Sequence, residues 1–342
     1  MAAKRVTLAD VAAEAGVGVA TVDRVLNARA PVSAGAAARV LAAAEALGYH
    51  AHRLIRHRIE EMAPEKVLGF ILQKEGKWFY RALAKALQGA AADLRGIRAT
   101  VEICYVESLS PEALAAEIAR MRDVADAIGV VSLEHPSVEA AVAACAHDGM
   151  PVFALLSPLS FPGLAGYIGI DSYKAGRTAG WAMARMVRDD AEIGVLVGSH
   201  RYLGHEALES GFRSAMRDYA PGARLRESLV FLDDGAVAYE AALELLQARP
   251  CLAGLYHCGG GTSGVVRALR ESGRHRNVLY ICHERGPVTE GGLRDGTVEL
   301  VIATPLDAVA QAAAGAMQAA LTGRGGGATE PLAFRLLTAE NL

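Results

Sequence analysis

From Val67 onward, short apolar runs alternate with stretches of helical periodicity, and no other feature restricts the fold as much. The runs are "VLGFIL" (67–72), "TVEICYV" (100–106), "AIGVV" (127–131), "PVFALL" (151–156), "AGYIGI" (165–170), "IGVLVG" (193–198), "SLVFL" (228–232), "AGLYHC" (253–258), "NVLYICH" (277–283) and "ELVIAT" (299–304). Amphipathic segments at 78–94, 111–121, 137–148, 173–188, 206–219, 236–248, 263–272 and 306–321 fall between most of them. Strand and helix in strict succession build parallel sheets covered on both faces. The chain is therefore α/β, and ten strands fit two doubly wound lobes better than one sheet. Such lobes bind ligands beyond the C-terminal ends of their strands, in the cleft between them.

A chain of 342 residues forms two or three units, each able to bury a core. It is 52% apolar but only 6% aromatic, the balance of an alanine-rich helical α/β protein. The net charge of −3 excludes a polybasic coat for nucleic acid or membrane, yet the charge is uneven. Residues 1–60 hold eight basic residues (Lys4, Arg5, Arg24, Arg29, Arg39, Arg53, Arg56, Arg58) and five acids (Asp10, Glu14, Asp23, Glu45, Glu60). A basic head on an acidic body points to an anionic partner at one end only. Polar residues interrupt the chain from Lys4, so no secretory signal is expected. No run of eighteen apolar residues suggests a membrane span. Cys104, Cys145, Cys251, Cys258 and Cys282 are odd in number and lack CxxC spacing. Reduced thiols in the cytoplasm are expected, with no zinc site and no disulfide framework.

The head carries its own pattern. "VTLADVAAEAGVGVATVDRVLN" (6–27) reads as two short helices folded back at a glycine. Thr7 suits an N-cap for a helix from Leu8 to about Ala15, and Gly16 supplies the left-handed turn that ends it. The second helix runs from about Gly18 to Leu26. Ala12 is small where the helices cross, and Val22 plugs the interface with Val11 and Val25, the spacing of a helix-turn-helix. A third helix, capped by Ser33 after Pro31 and ended by Gly48, sets Val40, Leu41, Ala44 and Leu47 on one face. A plain alanine-rich bundle would show the same helices. The spacing, the basic excess and the N-terminal position favour the helix-turn-helix.

With "VSAGAAARVLAAAEALGY" behind it, this stretch resembles the head of the lactose-repressor (LacI/GalR) family of bacterial transcription regulators, across residues 6–49 without a gap. The resemblance implies that the second helix enters the major groove. Val19, Ala20 and Arg24 would then face base edges, while Thr7, Thr21 and Asn27 hold phosphates. The fork of Arg24 fits guanine O6 and N7 together. Gly18 stands where the family has a serine N-cap, at a cost of about a few tenths of a kcal/mol. Asp23 stands where the family has a serine on the backbone, and phosphate repels its carboxylate. It could accept from a cytosine N4 or orient Arg24 by a salt bridge; orientation is favoured.

In that family a proline-asparagine turn and a short hinge helix follow, and the helix wedges a leucine into the minor groove. Here the stretch is "GYHAHRLIRHRIEEMAPEK". Ala51 and His52 replace the turn, Ile55 stands at a small alanine, and Arg58 falls on the leucine. Leu54 or Ile59 could serve as the wedge, or Arg58 could enter the minor groove as a cation. Arg53, Arg56 and Arg58 suit a linker that follows phosphates; a solvated basic connector is the plainer reading. Pro64 marks the boundary to the body.

The body resembles the periplasmic sugar-binding-protein-like part of the same family in "KWFYRALAKALQGAA", "GYIGIDSYKAGRTAG", "GFRSAM" and "DAVAQAAAGAMQAALTG". The expected organisation is a three-helix head (1–49), a linker (50–65) and an effector-binding and dimerisation body (66–342). Lobe one is expected at about 66–162 and 287–320, and lobe two at about 163–286 and 321–342. The strand ends nominate the effector residues. Trp78 and Phe79 can stack on a sugar ring; Glu134 and His135 end the third strand, and Ser157 the fourth. Asp171, His200, Arg201, Gly260, His283, Glu284 and Thr304 end later strands. Any one of these could be a solvated loop residue; their joint placement singles them out. Leu208, Gly260 with Gly261, and His283 replace polar residues of the family's hexose clamp. A polyol, a sugar acid or another small polar metabolite is therefore as suitable as a hexose.

One rival class remains. "GGGTSG" (259–264) has the form G-x-G-x-x-G, follows a strand, opens a helix, and precedes Glu284 by twenty residues. A nicotinamide-dependent oxidoreductase would use such a loop. The motif sits on a late strand, however, without a catalytic pair beyond His283 and Glu284. The favoured reading is a non-enzymatic, cytoplasmic DNA-binding regulator, most simply a repressor, without cofactor or metal. Its partners would be a double-stranded DNA operator, a small-molecule effector and a second copy of itself. The chain ends in "AFRLLTAENL" without the family's tetramerising heptad helix, which favours a homodimer.

Overall fold

A computed structural model describes residues 6–27, 32–323 and 331–342. Lys4, Arg5, Arg29 and Pro31, named above, lie outside them. The chain divides into two compact units, Met1–Val67 with Ala91–Thr100, and Leu68–Ala90 with Val101–Leu342.

The first unit holds α1 (Leu8–Ala15), α2 (Val19–Asn27), α3 (Ala34–Ala46) and α4 (His52–Glu61). Thr7 opens α1 in a capping box with Asp10: its backbone N–H donates to the Asp10 carboxylate at 2.8 Å, and its Oγ1 accepts from Asp10 N–H at 3.3 Å. Gly16 ends the helix with φ of 62°, the left-handed conformation glycine adopts without strain. Val11, Ala12, Ala15, Val22, Val25, Val40 and Ala44 close the core, as the helix-turn-helix spacing requires.

The linker stretch also belongs to this core. Ala51 gives α4 no side-chain cap; the preceding turn is tied by His52 Nδ1 donating to the Tyr49 carbonyl at 2.7 Å. Ile55 is fully buried among the head residues, with Ala51 and Ile59 packed beside it. Ile55 thus fills the head core at the position where the resemblance implies a small alanine. Arg56 pairs with Glu45 of α3 at 2.7 Å, and Arg58 pairs with Glu61 at 2.7 Å. Glu60 accepts from Arg95 at 3.0 Å, and the Glu61 carbonyl accepts from Arg98 at 3.0 Å.

The second unit alternates strands and helices as the sequence predicts. Its elements are β1 (Glu65–Gln73), α5 (Trp78–Ala92), β2 (Arg98–Val106), α6 (Pro111–Arg122), β3 (Ala127–Val130), α7 (Pro136–His147), β4 (Val152–Leu155) and β5 (Gly166–Ile168), with the start of β1, the end of α5 and the start of β2 in the other unit. There follow α8 (Ser172–Met186), β6 (Glu192–Val197), α9 (Leu203–Tyr219), β7 (Arg224–Val230), α10 (Gly235–Ala248), β8 (Leu252–Cys258) and α11 (Thr262–Glu271). β9 (Leu279–His283), α12 (Pro287–Asp295), β10 (Leu300–Ala303), α13 (Leu306–Leu321) and β11 (Arg335–Leu337) complete it.

The strands form two sheets, β2-β1-β3-β4-β5 and β11-β10-β9-β8-β6-β7. The orders mirror each other. In each, the chain winds one way from the first strand and then the other, placing a switch point at β1/β3 and at β6/β8. The described pairings are parallel except β10 with β11. β11 and α12 escape the sequence reading: β11 has three residues, too few to show a period, and α12 carries two adjacent glycines.

The return to the first sheet falls later than the expected boundary at 287. Pro287 is simply the first residue of α12, a position proline favours. β10 pairs with β9 in the second sheet, and α13 alone crosses back to pack on β3, β4 and β5. Helices α8 and α9 touch backbone to backbone: a Cβ on Gly180 would lie 2.7 Å from the Phe212 carbonyl oxygen, and Gly176 and Gly211 are as crowded.

Candidate functional site

On the head, α2 divides cleanly. Val22 and Val25 are buried, whereas Val19, Ala20, Arg24 and Asn27 are exposed and Thr21 and Asp23 half-buried. Val19 is 48% exposed, an apolar residue held out in water at the start of the helix. Asn27 Nδ2 donates to Asp23 Oδ1 at 2.7 Å. The aspartate thus holds the amide one turn along, a contact the sequence reading did not foresee. Thr7 spends its hydroxyl on Asp10, at 2.7 Å, in the capping box. Arg53 is exposed, while Arg56 and Arg58 are engaged by Glu45 and Glu61.

In the second unit the C-terminal strand ends of both sheets line one cavity of about 440 Å³. Of the residues nominated above, Trp78, Phe79, Ser157, Gly260, His283, Glu284 and Thr304 lie on its wall. The other five have different employment. Glu134 accepts from Ser160 N–H at 2.6 Å, and its own N–H donates to the Arg201 carbonyl at 3.1 Å. His135 caps α7, and Asp171 caps α8 by accepting from Lys174 N–H at 2.9 Å. His200 pairs with Glu209 at 2.7 Å, and Arg201 is exposed. Strand-end position alone does not separate a residue that caps the next helix from one that faces the cavity.

The wall also includes Gln73, Lys74, Lys77, Tyr80, Tyr202, His205, Leu208 and Asp233, none of them nominated as effector residues. Gln73 and Asp233 had a signal: each closes or follows an apolar run. His205 had none, because α9 starts earlier than its periodicity shows.

Backbone strain concentrates here. Lys74, Leu156, Leu232, Asp233 and Glu284 are the described non-glycine residues with left-handed φ (34° to 70°), and all but Leu232 line the cavity. Each such residue costs about 1–3 kcal/mol, so the cluster marks a place shaped for something other than stability.

Two His–Tyr pairs bridge β8 and β9, one of them through the wall residue His283. His257 Nε2 donates to the Gly260 carbonyl at 2.7 Å, which leaves Nδ1 to accept from Tyr280 OH at 2.7 Å. His283 pairs with Tyr256 OH at 2.8 Å. Burial lowers His257 to about 4 and His283 to about 3, so both are neutral at physiological pH. Glu284 goes the other way: burial raises its carboxyl to about 8, partly offset by a hydrogen bond from Thr304 at 3.1 Å.

The glycine loop is engaged by the protein itself. Gly260 N–H donates to Asp233 Oδ1 at 2.6 Å, and its carbonyl takes His257. Gly259 and Gly261 have φ of 117° and 81°, which explains two glycines without a nucleotide. Among the described residues, no group of three or more His, Cys, Asp or Glu could hold a metal, and no helix is long and apolar enough to cross a membrane.

Residues 7–52 match the family described as bacterial regulatory proteins, lacI family, and residues 68–325 match the periplasmic binding protein domain. The chain belongs to the lacI family of bacterial regulatory proteins, with a periplasmic binding protein domain as its body. No curated protein matches this lacI-family regulator in sequence. Its body has the fold of solved sugar-binding proteins. A glucose-galactose binding protein from Geobacillus stearothermophilus is 19% identical, with a TM-score of 0.73 over 81% of this chain and 99% of that one. A solute-binding protein from Burkholderia graminis, in complex with D-arabinose, is 20% identical, with a TM-score of 0.75 over 81% and 96%. An arabinose-binding protein from Geobacillus stearothermophilus is 18% identical, with a TM-score of 0.67 over 81% and 98%.

Proposed function

We propose that this regulator represses transcription in the cytoplasm by binding a pseudo-palindromic DNA operator as a homodimer, under control of a small polar effector held in the cavity of its body. The observation that carries the reading is the exposed face of α2, with Val19, Ala20, Arg24 and Asn27 outward on a closed head. Val19, Ala20 and Arg24 read base edges; Thr21 and Asn27 meet phosphates. Asp23 positions Asn27 and so acts on specificity at second hand. Arg53 adds a phosphate contact beyond α2, with Arg56 and Arg58 supplying positive potential from within their ion pairs.

Two heads on one dimer make two weak half-sites a single strong operator. A ligand that contacts both sheets of the body favours one separation of the lobes and shifts the population toward it. Ring stacking falls to Trp78 and Phe79, and polar contacts to Ser157, Gly260, His283, Glu284 and Thr304.

The test is to sequence the duplexes that the full chain retains from a random pool, beside Arg24→Ala and Asp23→Ser. The wild type is expected to select a two-fold symmetric sequence. Arg24→Ala should lose preference at one base pair per half-site, by about 1–3 kcal/mol. Asp23→Ser should alter the half-site profile through Asn27. An asymmetric or absent motif, or unchanged profiles in both variants, would refute the assignment.

A further inference from the structure

We propose that Arg98, with Arg95 beside it, is the positioning residue through which the state of the cavity reaches the head, by holding the C-terminal end of α4. The assignment rests on the reading of the cavity as the site that controls DNA binding, and it names the place where that control passes.

Helix α4 is gripped at both ends. Its first half belongs to the head, where Ile55 is fully buried and Arg56 pairs with Glu45 of α3 at 2.7 Å. Its last residues are gripped by the turn between α5 and β2. Arg98 Nη1 donates to the Glu61 carbonyl at 3.0 Å, and the Arg98 backbone N–H donates to the Pro64 carbonyl at 2.9 Å. Arg98 Nη2 pairs with the Glu65 carboxylate, so one residue ties down the whole stretch 61–65. Glu61 is the last residue of α4, and its carbonyl is among those a helix leaves without an internal partner. A cation there also opposes the negative end of the helix dipole. Arg95 Nη1 adds a bond to Glu60 at 3.0 Å.

The elements that meet at this turn lead to the cavity. Glu65 begins β1, and Gln73 at the other end of that strand lines the cavity. Arg95 and Arg98 follow α5, whose first residues, Trp78 and Phe79, line the same wall. Arg98 opens β2, and at the far end of that strand the Val106 carbonyl accepts from Lys74 N–H at 3.0 Å, Lys74 being another wall residue. Strands and helices transmit displacement as rigid bodies. A shift of the wall around Gln73, Lys74 and Trp78 is therefore handed along β1, α5 and β2 to the turn that grips α4. The two grips differ in strength. A fully buried isoleucine anchors α4 in the head, whereas the Arg95 and Arg98 side chains are 73% and 47% exposed. Solvated ion pairs are individually weak, so the Arg98 end yields first. Arg98 thus governs how α4 is presented without touching DNA or effector, and the fold of the head is left intact.

The experiment sends the signal from the DNA side, because linkage between two sites is reciprocal. The probe is the duplex that the full chain selects from a random pool, and the readout is hydrogen exchange of the cavity-wall amides 73–80 with and without it. In the wild type, operator binding is expected to change exchange there at least about threefold. Arg98→Ala, and the double variant Arg95→Ala/Arg98→Ala, should bind the same duplex within about fivefold of wild type. Their cavity amides should nevertheless respond by less than about 1.5-fold, while α1, α2 and α3 exchange as in the wild type. Melting curves confirm folding, and Arg98→Met, which keeps the stem of the side chain, stands in for an alanine variant that fails. An undiminished response at 73–80 in the double variant would overturn the proposal. So would an operator affinity lowered by more than about fivefold, which would make the arginines DNA contacts. Faster exchange throughout α1–α3 would also overturn it, since the grip would then merely hold the head together. The two levels fail differently. A wild type that selects no operator, or whose cavity ignores a bound one, defeats the reading beneath; a responding wild type matched by its variants defeats this inference alone.

Discussion

Ile55→Ala asks whether α4 is part of the head. Ile55 is fully buried in the core formed with Val22, Val25 and Val40. Truncating a buried isoleucine to alanine costs about 2–5 kcal/mol, the transfer term plus the cavity left behind. A unit this small seldom holds more than about 3–5 kcal/mol in all. The variant should therefore lose most of the head's stability and little of the body's. At the lower bound, about 2 kcal/mol raises the open population of the head roughly thirtyfold. Hydrogen exchange followed by mass spectrometry reads this directly. Amides of α1, α2 and α3 should exchange at least about thirtyfold faster, and those of β3, β6 and β8 should not change. Arg56→Ala is the control, since its ion pair with Glu45 is solvent-exposed and should matter little. Acceleration below about threefold in α1–α3 would mean that Ile55 does not fill the head core.

Two further outcomes follow from packing and charge in the body. Gly180→Ala places a methyl 2.7 Å from the Phe212 carbonyl oxygen, so calorimetry should show the body destabilised by about 1–3 kcal/mol; an unchanged melting temperature would show that α8 and α9 can separate. The pH profile should fall on both sides. His257 and His283, lowered by burial from 6.5 to about 4 and about 3, take up protons only on unfolding, so their share of stability is lost as pH drops from about 6.5 toward 4. Glu284, raised from 4.5 to about 8, is protonated in the native state, so its share is lost as pH rises from about 4.5 toward 8. Denaturant midpoints across this range should show both slopes, and Glu284→Gln should abolish the alkaline one.

Much of this architecture is legible in the sequence because burial dictates it. Inner strands such as β3, β4 and β10 are apolar throughout because both faces of their sheets are covered, unlike the edge strands β2 and β7, and the head spacing is forced by helices that must cross at Ala12 and Val22. What stays hidden is decided by tertiary partners. Ile55 reads as a damaged hinge until α2 and α3 are seen around it. Asp23 reads as a partner for Arg24, yet helical geometry brings Asn27, four residues on, to the carboxylate. Asp171 and His135 read as ligand groups because they end strands, and the helices that follow claim them as caps. Gln73 and Glu284 differ from these only in having an oxygen left over, which no pattern of residues can express.

On the proposed function, occupancy of the cavity controls the head. The decisive measurement is the affinity of the full chain for its selected operator with and without saturating amounts of the ligand that binds its body. Coupling predicts a change of about five- to 150-fold, in either direction, with the same factor appearing in ligand affinity when DNA is bound. An operator affinity that moves less than about twofold while the ligand is demonstrably bound would contradict it.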